Sequence, residues 1–401
     1  MTIPNDNHQG NYPPSLPEIV LVFAKLGAIA FGGPAAHVAQ IEQEVVQRRQ
    51  WINRERLLDL LSIANLIPGP NSTELTIHIG LEQRGWRGAI AAGVSFILPA
   101  MVIVWTLAAI YSHYRTIPAF NWLLNGIKPV IIAIITTSIW KLGKAACKNR
   151  LTAIAGIIVL SFYFLSINEI VLMLGAGVAV SLLENIKNIS KKQNLMSLIS
   201  PLAPLNVFTD MGNFHLAAMA VASTPKTWTA VFLSFLKIGS VLYGGGYVLL
   251  AFIQQDFVER NQWLTPQELL DAIAIGQFTP GPVLTTATFI GYLVAGHLGA
   301  IAGTIGIFLP AFIFVPLVNP LVSKLRQSPW TSGFLNGVNA ASVGLMLAVT
   351  VDLGRSTLIN ITNILIAIAS LAILIKFPKV NSLWLVLAGA AIGAINYLLG
   401  L

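Results

Sequence analysis

Charge is what this sequence lacks most. Of its 401 residues only 10 % are Asp, Glu, Lys or Arg, against about 25 % in soluble globular chains. Hydrophobic residues make up 55 % and the mean hydropathy is +0.74. A soluble enzyme, a nucleic-acid binder and a disordered scaffold are excluded on that balance. The net charge of +8 does not restore a nucleic-acid partner, because the basic residues sit between long apolar runs, as loop charge does in membrane proteins. Cysteine is almost absent. The single thiol, Cys147, excludes a disulfide framework and a thiolate metal cluster. The histidines His113, His215 and His297 are isolated, so no metal site is expected. Neither a phosphate-binding Walker loop nor a dinucleotide fingerprint occurs, so ATP drive, hydride transfer and any cofactor are unsupported. Residues 1–17 contain no Lys or Arg and no small-residue cleavage site, so they read as a polar N-terminal tail, and the first spanning helix does the targeting.

What is present is written twice. Phe23-Ala24-Lys25-Leu26-Gly27 returns as Phe235-Leu236-Lys237-Ile238-Gly239, Phe31-Gly32-Gly33 as Tyr243-Gly244-Gly245, and Gln50-Trp51 as Gln262-Trp263. Leu57-Leu58-Asp59 returns as Leu269-Leu270-Asp271, and Pro68-Gly69-Pro70 as Pro280-Gly281-Pro282. The offset is 212 (263 − 51) up to that point and 211 afterwards (299 − 88), where Gly88 matches Gly299 and Asn125-Gly126 matches Asn336-Gly337. One register with so many matches defines two copies of one unit: residues 18–184 and 228–401, joined by a cytoplasmic linker at 185–227.

Apolar runs of about 20 residues cross a bilayer. They predict spans at 88–112, 120–140, 151–166 and 168–184 in the first copy, and at 299–322, 331–351, 360–376 and 382–400 in the second. The stretch before each set is apolar but broken twice, at the glycines and at Pro-Gly-Pro. Its pieces 57–67 and 71–83 are too short to cross singly and predict a re-entrant hairpin. Basic loop residues then set orientation. Arg48, Arg49, Arg54 and Arg56, and later Lys141, Lys144, Lys148 and Arg150, face poorly basic loops in the second copy, whereas Lys324, Arg326, Lys376 and Lys379 reverse the bias. Corresponding loops are therefore expected on opposite sides. The fold class is an all-α polytopic membrane protein of two inverted-topology repeats, with broken helices, re-entrant hairpins and about ten crossings, five per copy. Both termini are expected outside the cell inner membrane.

Inverted repeats with matched helix breaks characterise secondary transporters, whose substrate site lies at the repeat interface. A helix that starts inside the membrane offers unpaired N–H groups and a positive dipole end, which bind anions. Asn71, Ser72 and Thr73 follow the first Pro68-Gly69-Pro70, and Thr285 and Thr286 follow the second Pro280-Gly281-Pro282. The other break is made by Gly32, Gly33 and Pro34, or by Gly244, Gly245 and Gly246, where backbone can approach a ligand closely. Lys25 and Lys237, the same residue at the same position of each copy, are candidate anion-binding cations, with snorkelling toward an interface as the alternative. Glu74 and His78 are proton-coupling candidates, or a carboxylate favoured by a helix N-terminus beside a packed polar residue. Asn65 and Gln277 either donate to the substrate or tie hairpin to bundle. Gln43, Glu44, Gln255 and Asp256 read as a solvated face, Trp51 and Trp263 as interfacial anchors, and Asn125 and Asn336 as bridges between helices, with Lys128 close to the first of these.

Phe31-Gly32-Gly33-Pro34, the Gln-Trp loop, Pro68-Gly69-Pro70-Asn71-Ser72-Thr73-Glu74, Tyr243-Gly244-Gly245-Gly246 and Gln277-Phe278-Thr279-Pro280-Gly281-Pro282 together resemble the chromate ion transporter family. The likeness is to its long-chain members, in which two homologous domains of opposite orientation are fused, and it covers 18–401. That resemblance implies an inner-membrane carrier that exports chromate, confers resistance, uses the proton motive force and is inhibited by sulfate. Efflux of a dianion from a cell negative inside is helped by about 2.3 kcal/mol per charge per 100 mV. A sulfate or other oxyanion carrier or importer stays open, since sulfate and chromate share shape and charge. A membrane-embedded enzyme is the remote alternative: a reductase needs a flavin, haem or thiol site, and a lipid-phosphate enzyme needs clustered carboxylates or histidines. The expected partners are a small oxyanion and the lipid bilayer, with no nucleic acid. The oligomeric state is open, a homodimer being one option.

Overall fold

The computed structural model describes residues 14–30, 33–115, 117–189, 225–244, 246–319, 325, 328–377 and 380–399. Phe31, Gly32, Gly245, Lys324, Arg326, Lys379, residues 1–13 and linker residues 190–224 lie outside the described residues. Every described element is a helix. In chain order they are α1 (Leu16–Ile29), α2 (Gly33–Ile41), α3 (Arg54–Ala64), α4 (Asn71–Tyr114), α5 (Pro118–Ala146), α6 (Arg150–Tyr163) and α7 (Glu169–Ile189). Then follow α8 (Trp228–Val241), α9 (Leu249–Ile253), α10 (Pro266–Phe278), α11 (Thr286–Val318), α12 (Pro329–Thr357), α13 (Ile361–Lys376) and α14 (Ser382–Leu399). Among the described residues, Asn71–Tyr114, Trp122–Ala146, Glu169–Ile186, Val283–Val318 and Pro329–Thr357 are long and apolar enough to cross a membrane. The predicted span at 151–166 corresponds to α6, of 14 residues; at 1.5 Å per residue it is about 21 Å long, short of a hydrocarbon core of about 30 Å.

Each copy opens in the same way. Helix α1 is capped by Ser15, whose side chain accepts from the Glu18 N–H, and has proline in its first turn. Thr227 caps α8 likewise through the Ala230 N–H. Ile19, Val22, Phe23 and Leu26 recur at helical spacing and are buried, so this face packs along α4. Val231, Phe235 and Ile238 do the same for α8 against α11. Both helices stop on an extended residue of nearly identical geometry, Ala30 (φ −76°, ψ 104°) and Leu242 (φ −75°, ψ 95°). After the break, α2 runs into a π-helical turn at Glu42–Arg48, and α9 into another at Gln254–Arg260. π-Turns of this kind insert an extra residue per turn and re-aim side chains. Gln50 and Gln262 then carry matching positive φ, 55° and 51°.

Each Pro-Gly-Pro joins two helices, α3 to α4 and α10 to the turn that leads into α11. Arg56 on α3 pairs with Glu82 at 2.9 Å and Gln83 donates to the Trp51 carbonyl at 3.2 Å, so α3 and residues 71–83 run antiparallel with Pro68-Gly69-Pro70 at the tip. Capping box residues Thr265 and Glu268 begin the second hairpin. The sequence separates 71–83 from 88–112 by a loop; in the structure only two residues are non-helical, Arg84 (φ −142°, ψ 24°) and Gly85 (φ 58°, ψ −148°). Ala295 (φ −140°, ψ 26°) and Gly296 (φ 63°, ψ −148°) repeat that turn in α11. Gly80 lies directly on Gly88 and Gly291 on Gly299, so the backbones fold back on one another with no side chain between them. Trp263 does not present its ring outward as an interfacial anchor would: it is buried against Phe257, ring centroids 5.2 Å apart. Trp51 is half-buried, under the guanidinium of Arg49 at 5.6 Å.

Candidate functional site

The two Pro-Gly-Pro tips reach into the opposite copies. Gly69 N–H donates to the carbonyl of Leu242 at 2.7 Å, and Gly281 N–H donates to the carbonyl of Ala30 at 2.8 Å. Ala30 and Leu242 are the extended residues that end α1 and α8, so each tip satisfies a carbonyl exposed by the break in the other copy. The tip glycines have φ of +140° (Gly69) and +90° (Gly281), and a Cβ at Gly281 would strike Ala100 and the carbonyl of Gly27. The backbone thus joins the broken points in two pairs, each tip to the break of the other copy.

Behind the first tip, α4 begins at Asn71. Thr73 and Glu74 N–H groups bond the Pro70 carbonyl, and those of Asn71 and Ser72, the first of the helix start, have no partner among the described residues. Asn71 Nδ2 donates to Asn65 Oδ1 at 2.5 Å, tying the two arms of the hairpin. Ser72, Thr73, Glu74 and His78 are all buried. Thr73 Oγ1, both Glu74 carboxylate oxygens and His78 Nε2 have no hydrogen-bond partner among the described residues. The Glu74 carboxylate lies over Gly69. The second copy differs: Thr285 Oγ1 donates to the Pro282 carbonyl at 2.7 Å and Thr286 Oγ1 to the Val283 carbonyl at 2.8 Å, so both hydroxyl protons are used locally. Gly33 and Pro34 open α2 and Gly246 opens a 3-10 turn. Gly244, at φ +87°, backs onto Ser342, whose hydroxyl donates to the Tyr243 carbonyl at 3.1 Å.

The lysines are engaged elsewhere. Lys25 pairs with Glu44 at 3.1 Å, and Lys237 pairs with Asp256. Glu44 also receives Arg48, and Asp256 receives Arg260, each four residues on. Both carboxylates are buried, in place of the solvated face expected for them, because the π-turn swings them back toward α1 and α8. A cleft of about 560 Å³ opens beside the first pair, lined by Gln40, Gln43 and Gln47 among others.

His37 was not singled out in the sequence. It is buried and bridges the two breaks: Nε2 lies 3.2 Å from the Ala30 carbonyl and Nδ1 lies 3.4 Å from Ser72 Oγ. A carbonyl only accepts, so Nε2 carries the proton, and in a neutral ring Nδ1 accepts from Ser72. A lone ionisable residue four positions past Gly33 in an apolar run was the available signal. A second buried network joins the copies: Tyr111 O–H donates to Asp271 at 2.9 Å, and Lys128 pairs with Asp271 at 3.3 Å. No group of three or more His, Cys, Asp or Glu fit to hold a metal occurs among the described residues.

An all-helical chain with paired breaks, hairpins and long apolar helices is a polytopic membrane protein. Its sequence places it further. The profile of the chromate transporter family matches residues 17–181 and again 229–394, and the chain belongs to that family, one of transporters and not of enzymes. It is 31 % identical over 391 residues to a probable chromate transport protein of Synechococcus elongatus, covering 96 % of each chain. It is 29 % identical over 385 residues to a chromate transport protein of Cupriavidus metallidurans, covering 96 % of this chain and 94 % of that one. An uncharacterized transporter of Bacillus subtilis is 25 % identical over 130 residues, covering 32 % of this chain and 73 % of its own length. No solved structure matches the chain.

Proposed function

We propose that the protein is a secondary transporter that exports chromate across the inner membrane, coupled to the proton motive force, and so confers chromate resistance. The observation that carries this reading is the reciprocal pair of backbone bonds, Gly69 to Leu242 and Gly281 to Ala30. It supports a site at the breaks shared by both copies, where helix N-termini attract an anion. The printed names of the full-length relatives support chromate as the substrate. The reversal of loop charge between copies supports inverted repeats at 18–184 and 228–401, ten crossings and both termini outside.

In this mechanism the oxyanion is held by the α4 start, through the N–H groups of Asn71 and Ser72 and the hydroxyl of Thr73, against the second tip at Gly281. Glu74, buried without a partner one turn into α4, takes and releases the coupled proton. Lys25 and Lys237 act as struts that hold each π-turn to the preceding helix. Moving one copy against the other would break one of the two tip contacts and keep the fixed site between them. Two backbone N–H groups and one hydroxyl do not separate chromate from sulfate by shape, so sulfate competes.

Counterflow of labelled chromate in proteoliposomes, with sulfate, molybdate and phosphate as competitors, tests the proposal. Chromate exchange suppressed by sulfate is expected. Sulfate exchange without chromate flux would overturn the resistance role, and no exchange of any oxyanion would overturn the anion site.

A further inference from the structure

The two halves pack their helices alike but place one charge differently. Asn336 on α12 and Asn149 at the start of α6 both turn their amides onto Glu184 of α7: Asn149 Nδ2 donates to Oε1 at 3.1 Å and Asn336 Nδ2 to Oε2 at 3.5 Å. The counterparts of these asparagines, 211 positions away, are Asn125 on α5 (336 − 211) and Asn360 at the start of α13 (149 + 211). Gly333 backs onto Ser181, and Trp122, the counterpart of Gly333, backs onto Gly393. Three residues beyond Ser181 is Glu184; three beyond Gly393 is Asn396. By this packing α7 and α14 match at an offset of 212 (393 − 181), so Asn396 stands where Glu184 stands, and Asn125, Asn360 and Asn396 line one cavity.

That place is open. A cavity of about 590 Å³ lies between α5, α10, α13 and α14, lined by Trp122, Asn125, Lys128, Gln267, Asn360 and Asn396 among others, with no acidic residue among the described residues that line it. Lys128 replaces Asn339 of the other half. Its side chain is 12 % exposed and is anchored by Asp271 at 3.3 Å. It also donates to Asn125 Oδ1 at 3.5 Å, which leaves the Asn125 amide N–H groups for the cavity. One half thus carries its own carboxylate between two asparagines, and the other offers the same donors, a lysine and room.

We propose that this cavity is a second anion site, which binds a small tetrahedral oxyanion where Glu184 sits in the other half. Asn125 and Asn360 donate from their side-chain amides, and Lys128 supplies the cation. The site lies at the end of the bundle, away from the Pro-Gly-Pro tips, and serves as a vestibule on the path to or from them. Its identification with the transported oxyanion rests on the transport reading; the existence of an anion site does not. A phospholipid headgroup phosphate presents the same acceptors and is the other source.

The test is Asn396→Glu, which restores to this half the carboxylate present in the other. Wild type and N396E are purified in detergent, checked by gel filtration, and titrated with labelled chromate and, separately, labelled sulfate by equilibrium dialysis. Native mass spectrometry counts retained phospholipid. N396E is expected to bind one oxyanion fewer per chain than wild type, and Asn360→Leu to weaken the same site at least tenfold with Glu184 untouched. The difference between wild type and variant is what is read, so it holds whether or not the central site binds its own anion; failure of the transport reading shows instead in counterflow. Equal oxyanion counts in wild type, N396E and Asn360→Leu would overturn the proposal. So would loss of a bound phospholipid in N396E with the oxyanion count unchanged.

Discussion

The N–H of Gly281 donates to the carbonyl of Ala30 at 2.8 Å. These residues are about 250 positions apart (281 − 30 = 251), one at the tip of the second hairpin and the other at the end of the first helix. The same carbonyl lies 3.2 Å from His37 Nε2, and His37 in turn faces Ser72 at 3.4 Å. A single backbone acceptor therefore links the second tip, the first break and the first helix start. The counterpart of His37 is Leu249 and that of Ser72 is Leu284, so the Leu242 carbonyl has the tip contact without the histidine. The site is symmetric in backbone and asymmetric in chemistry.

Gly281→Ala is expected to damage the protein far more than Gly296→Ala. Both have positive φ, which costs about 1–3 kcal/mol for a residue with a side chain. At Gly296 nothing lies within 4 Å of an added Cβ, whereas at Gly281 it meets Ala100 and the Gly27 carbonyl. Overpacking adds about 1–3 kcal/mol. Melting of the detergent-purified variants should fall for both and furthest for Gly281→Ala, and only that variant should lose counterflow per folded molecule. Equal effects would show that the tip contact is not tight.

The repeat, the breaks and the hairpins were legible in the sequence because they are written in glycine, proline and apolar length, which act locally. The positions of Lys25 and Lys237 were found as a matched pair, but their partners were not. Glu44 and Asp256 sit in short polar stretches that read as solvated, and only a π-turn, which has no composition of its own, aims them inward. Asn125 and Asn336 read as helix bridges. That one faces Glu184 and the other a cavity depends on which helices pack together across the copies. Trp263 failed as an interface anchor for a similar reason: its place against Phe257 is set by the turn at Gln262, and Gln-Trp as a dipeptide does not encode burial.

Lys237→Met is expected to destabilise the protein, and Lys237→Met with Asp256→Asn to recover most of the loss. Asp256 is 2 % exposed at the side chain and is otherwise left with Arg260 at 3.7 Å. Uncovering a buried carboxylate costs about 3–5 kcal/mol where it is left without a partner, and less with a second cation beside it. In the first copy Glu44 keeps Arg48 at 3.3 Å, closer than Arg260 is to Asp256, so Lys25→Met should cost less than Lys237→Met. Thermal melting of the singles and doubles gives the coupling. If the doubles melt no higher than the singles and lose chromate binding outright, the lysines bind substrate and are not struts.

Glu74→Gln separates coupling from binding. The carboxylate is buried against Gly69 with neither oxygen partnered among the described residues, and its counterpart Thr286 has no charge to exchange. Gln keeps the volume, takes away the titratable group and leaves the α4 start and Thr73 in place. Counterflow of chromate, which needs binding and reorientation but no net proton movement, should persist within about threefold. Net flux driven by a pH gradient should fall at least tenfold, a loss of about 1.4 kcal/mol or more in coupling. Retention of the gradient-driven flux would remove Glu74 as the proton carrier. Loss of both assays with an unchanged melting temperature would make it part of the substrate site, since only a group needed for binding or reorientation abolishes exchange at equilibrium.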